Sequence, residues 1–394
     1  MKRLNLKKTN VVRSDTLRSI NRRIVLNYIR ESGPISRSEI AKQTALQRST
    51  VSLIVNELRK EGMIKEVYGR SSGGRPPILL SLQTMRAVAM GIAVTTIDTT
   101  VVTSDLTGAI IHQESFPTDP DVDVTMSKII STAKQMVEAS GGTLEGIGVS
   151  VPGVVDTETG EALFIPHFKW RNVKIGEMLE RETGLKVQVG NDANSAALAE
   201  LWFGQSEVRE VRNFIMVLVE EGVGTGIVFD GQIYEGKGGT AGEFGHMTIG
   251  QGAPVTCATG SRECWEAFAS ERAALARYGG ALNNGSAKDM NIEKLIDLAL
   301  EGDAAAAKAI RETAHFLGVG IANIIQGLGP EAVIITGALA RAWSLIVDEL
   351  KDAVEECLCR EYHSTLIIAS TLGKQSAIMG ALSLILAPKF APVV

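Results

Sequence analysis

Cysteine is scarce in this chain. Only Cys257, Cys264, Cys357 and Cys359 occur in 394 residues. Four thiols spread that thinly make no disulfide framework and fit a reducing compartment. Long apolar runs are also missing, so no stretch is predicted to span a bilayer. The N-terminal stretch is basic but lacks the apolar centre of a signal peptide. A disulfide-stapled secreted module and an integral membrane protein are therefore excluded as readings, and a cytoplasmic location is expected. Hydrophobic residues at 45% and charged residues at 22% are ordinary for a soluble globular protein. The length predicts two or three domains.

The net charge of −5 conceals an asymmetry. Residues 1–86 hold 18 Lys and Arg against 6 Asp and Glu, a net of +12. The remainder holds 22 against 39, a net of −17. A basic module on an acidic body implies a polyanionic partner for the first part alone. The pattern within that part is ordered. Residues 1–14 read as a polar arm or frayed helix. Ser19–Arg30 has a helical apolar period in Ile20, Ile24, Val25, Tyr28 and Ile29. Ser36 and Glu39 form a capping-box sequence that opens a second helix. After Thr44-Ala45-Leu46, a third helix is predicted over about Ser49–Glu61, burying Val51, Ile54, Val55 and Leu58. Two β segments, Ile64–Val67 and Ile78–Leu82, flank a Gly- and Arg-containing turn.

That order is a winged helix-turn-helix, whose helix after the turn enters the major groove. Gln47, Arg48, Ser49 and Thr50 occupy its first turn. Gln and Arg can read base edges with two hydrogen bonds, and Ser and Thr can hold phosphates. Arg70 and Arg75 on the wing are placed to reach phosphates or a minor groove.

Beyond Ala87 the texture is α/β. Strands are predicted over Val88–Val94, Thr99–Ser104 and Ala109–Glu114, a helix over Val124–Ala139 and a buried strand over Leu144–Val151. Ile175–Thr183 reads as a helix, Val187–Val189 as a strand and Ser195–Phe203 as a helix. Phe214–Val219 and Thr225–Phe229 then restart the strand order, which predicts two similar lobes with a cleft between them. Later helices are expected over Trp265–Tyr278, Asn291–Ala299, Ala304–Gly327, Trp343–Leu358 and Ser376–Leu386. Strands are expected over Ala332–Thr336 and Leu366–Ala369. The expected division is a head at 1–82, a first lobe at 83–193 completed by the C-terminal helix at about 374–394, and a second lobe at 194–373.

The second lobe carries the densest chemistry. Gly222, Gly224 and Gly226 sit between apolar runs, and Glu243, His246, Cys257, Cys264 and Glu266 follow within a short span. A glycine-rich hairpin alone is a weak signal. Attached to that string of acceptors and potential metal ligands, it points to a polar small-molecule site. Cys357 and Cys359, two apart in a helical stretch, face different ways and read as unremarkable core or surface thiols.

The glycine pattern from Val219-x-x-Gly222-Val223-Gly224 through Gly236 to Gly242-x-x-Gly245-His246 resembles the ROK family of repressors, open reading frames and sugar kinases. Its transcriptional-repressor branch also has a helix-turn-helix followed by a segment similar to Gly73-Gly74-Arg75-Pro76-Pro77. The resemblance covers nearly the whole chain. It implies a duplicated, actin/hexokinase-like (ribonuclease H-like) body of two lobes and assembly into a homodimer or homotetramer. It also implies a sugar site made by Asn191, Asp192, Glu243, His246 and Glu266, approached near Gly153, with Asp192 at the position of a kinase base. The chemistry agrees, since carboxylate, imidazole and amide groups can each bond sugar hydroxyls.

Three departures argue against phosphoryl transfer. The first phosphate loop, Asp-x-Gly-Gly-Thr in ROK kinases, is Ala93-Val94-Thr95-Thr96-Ile97-Asp98 here. The second begins Glu220-Glu221 in place of Gly-Thr, setting carboxylates where a triphosphate would lie. The adenosine-side Gly-Gly is Gly337-Ala338. The zinc element departs too. His246, Cys257 and Cys264 supply three ligands, but Thr259 stands in place of the middle family cysteine. A structural zinc takes four, so the expectation is a loop held by packing and hydrogen bonds, with zinc as the alternative. His167 stands where family members often carry a sugar-facing Asn. The resulting expectation is a non-enzymatic, sugar-responsive repressor whose partners are operator DNA and a sugar or sugar phosphate. The competing reading is an active ATP-dependent sugar kinase with an appended DNA-binding domain. A third is a repressor sequestered at the membrane by a partner protein.

Overall fold

The computed structural model describes residues 14–70, 76–84, 86–204, 211–257, 259–281, 290–358 and 365–390. The head consists of α1 (Ser14–Ser32), β1 (Ile35–Ser36), α2 (Arg37–Thr44), α3 (Arg48–Lys60), β2 (Ile64–Tyr68) and β3 (Ile78–Leu82). Its strands form an antiparallel sheet in the order β1-β3-β2. Helix α1 starts five residues before the apolar period predicts. Ser36 caps α2 by accepting the Glu39 backbone N–H at 3.1 Å. The other half of the expected capping box does not form, because Glu39 Oε1 accepts Gln43 Nε2 at 2.9 Å instead. Ile29, Ile40, Val51, Ile54, Val55, Leu58 and Leu80 fill the centre. Each such buried side chain contributes about 1.5–3 kcal/mol.

The first lobe contains β4 (Ala89–Val94), β5 (Asp98–Ser104), β6 (Ile110–Pro117), α4 (Val122–Ala139) and β7 (Gly146–Val151). It continues through β8 (Val154–Asp156), β9 (Glu161–Ile165), β10 (Trp170–Val173), α5 (Ile175–Thr183), β11 (Val187–Asn191) and α6 (Asp192–Phe203). The main sheet runs β11-β7-β4-β5-β6, with β4, β5 and β6 antiparallel and β7 and β11 parallel to β4. Strands β8, β9 and β10 make a small separate sheet that the sequence reading does not include.

The second lobe contains β12 (Phe214–Val219), β13 (Val223–Phe229), β14 (Gln232–Ile233), α7 (Trp265–Ala269), α8 (Glu271–Ala281), α9 (Ile292–Glu301) and α10 (Ala304–Leu328). β15 (Ala332–Gly337), α11 (Trp343–Cys357) and β16 (Leu366–Ala369) complete it, before α12 (Ser376–Phe390) returns to the first lobe. Its sheet order, β14-β13-β12-β15-β16, repeats the first lobe's. Central strands β4, β7 and β12 are buried along their full length, as unbroken apolar runs require between two covered faces. The single helix predicted over Trp265–Tyr278 is two helices, because Ser270 takes an extended conformation (φ −77°, ψ 167°) between α7 and α8.

Two helices tie the parts together. Helix α12 packs on β4, β7 and β11 and against α6. Helix α6 also packs on β12 and β13, so it lies where the two lobes meet. The head is not a loosely tethered module. Val25, Leu26 and Ile29 of α1 share one apolar core with Leu382, Leu386 and Phe390 of α12 and Ala199 of α6. Asn27 Nδ2 donates to the Phe390 carbonyl at 2.7 Å across this joint.

Candidate functional site

The candidate site residues come from three places in the chain. The first is the junction of β11 and α6. Helix α6 starts at Asp192, three residues earlier than predicted, with Asn191 as its N-cap. Asn191 Oδ1 accepts the Asn194 N–H at 3.1 Å, and its Nδ2 donates to the Gly153 carbonyl and to Asp192 Oδ1, both at 2.9 Å. Its amide is thus engaged in fixing Gly153 and Asp192. Asp192 Oδ1 also accepts the Ala193 N–H at 2.8 Å. Burial pushes the Asp192 carboxyl up to about 7, against these hydrogen bonds, and the nearby charge of Glu243 adds to the rise.

The second place is the turn carrying Glu243 and His246, pressed against β13. Gly242 has φ +86°, and a Cβ there would lie 2.3 Å from the Thr225 carbonyl oxygen. A Cβ at Gly245 would lie 2.0 Å from the Val223 carbonyl oxygen. Only glycine permits that approach. It sets Glu243 and His246 on one short helical turn, with His246 Nε2 3.9 Å from Glu243 Oε2.

The third is α7. Glu266 is 7% exposed. Its Oε2 accepts the Val223 N–H at 3.4 Å, and its Oε1 lies 3.4 Å from Arg272 Nη2. Arg272 Nε donates to the Glu221 carbonyl at 2.9 Å.

A second group of acids borders the first. Burial, and then the charges of Asp192, Glu221 and Asp98, push Glu220 up to about 7. Burial, and then the charge of Glu220, push Glu271 up to about 8, although its carboxylate accepts the Ala338 N–H. On the open side, His167 of the first lobe bridges to the second lobe, Nδ1 to Glu221 Oε2 at 2.8 Å. The part played by Glu271, Arg272 and the His167–Glu221 pair is invisible in the linear pattern. Each partner lies far along the chain or on another lobe, and only the excess of acids in residues 214–271 hints at it.

His246, Cys257 and Cys264 converge, with their ligand atoms within 4.8 Å of one another. The fourth place does not suit a structural zinc, because Thr259 offers a hydroxyl that already bonds Cys257 Sγ at 3.0 Å. Burial opposes ionising Cys257, but hydrogen bonds from Thr259 and Cys264 outweigh it and hold the thiol at about 7. Burial and the bond to Cys257 push Cys264 up to about 12. The loop also closes by protein contacts: Cys257 N–H to the Ser261 carbonyl at 2.8 Å, a bridge between Thr248 and Cys264, and packing of both thiols on Ala253, Ala267 and Phe268.

In the head, Gln47, Arg48 and Ser49 are exposed at the start of α3, and Thr50 is half-buried. Gln47 stands at the N-cap without a side-chain capping bond. Neither it nor Arg48 has a side-chain partner among the described residues. Arg70 is exposed where the wing begins; Arg75 lies outside the described residues, as do Cys359 and His363.

The ROK family profile matches residues 87–387. The chain belongs to the ROK family. A winged helix-turn-helix DNA-binding profile matches residues 18–65, so this ROK body carries a head of the DNA-binding kind. The xylose repressor of Bacillus subtilis (strain 168) is 30% identical over 377 residues, covering 94% of this chain and 96% of that one. The N-acetylglucosamine repressor of Escherichia coli O157:H7 is 29% identical over 382 residues, 94% of this chain and 93% of its own. Among solved structures, a ROK family transcriptional regulator, homolog of the E. coli MLC protein, superposes with a TM-score of 0.80 at 27% identity. That match covers 95% of this chain and 97% of the other. A ROK family glucokinase from Streptomyces griseus, in complex with glucose and AMPPNP, matches with a TM-score of 0.68 at 26% identity, over 75% of this chain and 98% of its own. The enzyme-like likeness therefore covers the body, and the regulator-like likeness covers head and body together. Among the described residues no helix is long and apolar enough to cross a membrane.

Proposed function

We propose that this ROK protein is a sugar-responsive transcriptional repressor. The winged helix grips a palindromic operator as a homodimer or homotetramer, with Gln47, Arg48, Ser49 and Thr50 at the groove and Arg70 and Arg75 on the wing. A sugar or sugar derivative binds between the lobes at Asp192, Glu243, His246 and Glu266, beside Gly153 and the positioning amide of Asn191. Binding changes the affinity for DNA. The relatives named xylose repressor and N-acetylglucosamine repressor support this reading.

The observation that carries it is the course of α6. Its N-cap holds the cleft residues Asn191 and Asp192, and its far end carries Trp202. Twelve helical residues span about 18 Å. At that far end the Arg30 guanidinium of α1 lies 4.9 Å from the Trp202 ring centroid and 4.6 Å from that of Phe390. One rigid element thus touches both the ligand cleft and the DNA head. A ligand switches the protein only by binding two states unequally. A coupling of about 1–3 kcal/mol changes operator affinity roughly 5–150-fold.

A kinase reading draws on Asp192, whose value of about 7 suits a general base. Against it stand Glu220, Glu221 and Glu271, neighbouring acids whose charge opposes a nucleotide's phosphates. The deciding experiment is fluorescence anisotropy of the purified protein on a fragment of its own promoter, with and without a sugar library. Preference for that fragment over random DNA, shifted by a sugar, is expected. Equal binding to both sequences overturns the regulator reading. Hexose-dependent ATP turnover abolished by Asp192→Asn replaces it with the kinase.

A further inference from the structure

From the charge and hydrogen bonding around the cleft, we infer that its ligand is an unphosphorylated sugar and that phosphate esters are rejected. This inference rests on the sugar-site reading above and narrows the ligand class.

A phosphate-bearing ligand needs free backbone N–H groups, a Lys or Arg fork, or both. The cleft withholds each. At the β12–β13 turn, the Glu220 N–H points back to the Gly222 carbonyl at 3.0 Å, so it is spent inside the turn. The Val223 N–H faces the Glu266 carboxylate. At the end of β15, the Ala338 N–H is taken by the Glu271 carboxylate. These three N–H groups are thus already taken, one by a backbone carbonyl and two by the protein's own acids.

The guanidinium and the two imidazoles at the site are engaged as well. Arg272 donates to the Glu221 carbonyl and lies against Glu266. His167 is held by Glu221 across the cleft, and His246 lies beside Glu243. The turn at the end of β4, where a kinase would approach phosphate with glycines, is braced by side chains. Thr95 Oγ1 accepts the Asp98 N–H at 3.0 Å and the Ile97 N–H at 3.3 Å. Asp98 contributes further negative charge to Glu220.

The site residues offer a ligand carboxylate and imidazole groups suited to hydroxyls. Each ionised carboxylate oxygen can accept from a sugar O–H, and none in that form gains from a phosphate. One ionised carboxylate about 6 Å from a phosphate, at an effective dielectric near 20, weakens binding roughly 100-fold.

The test is isothermal titration of the full-length protein with neutral aldopentoses, aldohexoses and N-acetylhexosamines, each paired with its 1- and 6-phosphate or, for pentoses, its 5-phosphate. At least one neutral sugar is expected to bind, with its phosphates roughly 100-fold weaker or silent. A phosphate binding as tightly as its parent sugar, or tighter, overturns this inference and leaves the sugar site standing. Silence from both forms overturns the sugar-site reading itself. Glu221→Gln, and Glu220→Gln titrated at pH 8 where that carboxyl is ionised, serve as the second arm, because they remove charge at constant size. They are expected to narrow the gap between sugar and phosphate several-fold, and an unchanged gap in folded variants argues against the electrostatic cause. Raised salt gives a readout free of mutation: it narrows the gap if charge is the cause and leaves it unchanged if shape is.

Discussion

The head and the cleft treat their carboxylates in opposite ways. In the head, Glu57 pairs with Arg18, Glu61 with Arg22, and Glu66 with both Arg37 and Arg59. Those arginines are neutralised on the scaffold, which leaves Arg48 unpaired among the described residues at the tip of α3. The net +12 therefore overstates the charge free to meet DNA, which includes exposed Arg48 on α3 and Arg70 where the wing begins. In the cleft, Asp192, Glu220 and Glu271 crowd together, and burial lifts all three toward neutral pH. Exposed pairs of the head's kind contribute about 0–1 kcal/mol each. Crowded buried acids instead cost stability when ionised. The first arrangement neutralises charge on the scaffold; the second crowds like charges and holds protons.

The comparison can be broken most sharply at Arg48. Arg48→Ala is expected to weaken operator binding by about 1–3 kcal/mol, or roughly 5–150-fold, in anisotropy titrations. Sugar affinity, measured calorimetrically, should stay as it was. The reciprocal change, Asp192→Asn, removes a charged acceptor and is expected to cost about 1.5–3 kcal/mol of sugar affinity. DNA binding without sugar should not move. If either variant disables both activities, head and cleft are not separable as described.

Arg30→Ala and Trp202→Ala test the joint. Each is expected to keep sugar and DNA binding while the ligand-induced change in operator affinity collapses toward one. The cation–π contacts themselves are worth only about 0.5–2 kcal/mol, so circular dichroism should report folded protein. Retained coupling would mean that the signal does not run along α6.

Acid crowding also predicts a pH dependence. Asp192 and Glu220 hold their protons to about 7 and Glu271 to about 8 in the fold, against ordinary values of 3.8 for Asp and 4.5 for Glu. Between pH 5 and 8 the native state therefore binds more protons than the unfolded state, and stability falls as pH rises. Thermal melts should show a lower Tm at pH 8 than at pH 5.5, and Glu271→Gln should flatten that slope. At pH 8 the variant should gain roughly 2–4 °C, the change that about 1 kcal/mol produces in domains of 150–250 residues. The smallest expected change concerns metal. Thr259→Cys completes a His/Cys/Cys/Cys set and should bring zinc, by elemental analysis, close to one per chain. The native protein should hold clearly less; equal content in both would mean that three ligands suffice.

Much of the architecture was readable in the linear order, and the misses have physical causes. Ile175–Thr183 and Leu366–Ala369 match their predicted bounds, because each is a compact periodic run ended by a turn. Strands β8 to β10 leave little trace in the linear pattern, because they are three to five residues long and mix polar with apolar side chains. The break at Ser270 has no linear signal, because apolar spacing runs through it; it appears only where the Glu271 N–H turns to the Glu220 carbonyl at 2.9 Å. The early start of α6 follows from Asn191, whose cap bond to Asn194 is legible only once β11 ends beside Gly153.

The residues alone determined a basic head, a duplicated α/β body and a string of polar side chains of the kind that can bond hydroxyls, because periodicity, charge and glycine spacing are local properties of a chain. Tertiary structure decided that α6 reaches from Asn191 to the head, that His167 reaches Glu221, and that Glu271 accepts the Ala338 N–H. Those contacts link segments dozens to hundreds of residues apart, and their energies depend on burial and distance, which no linear pattern specifies.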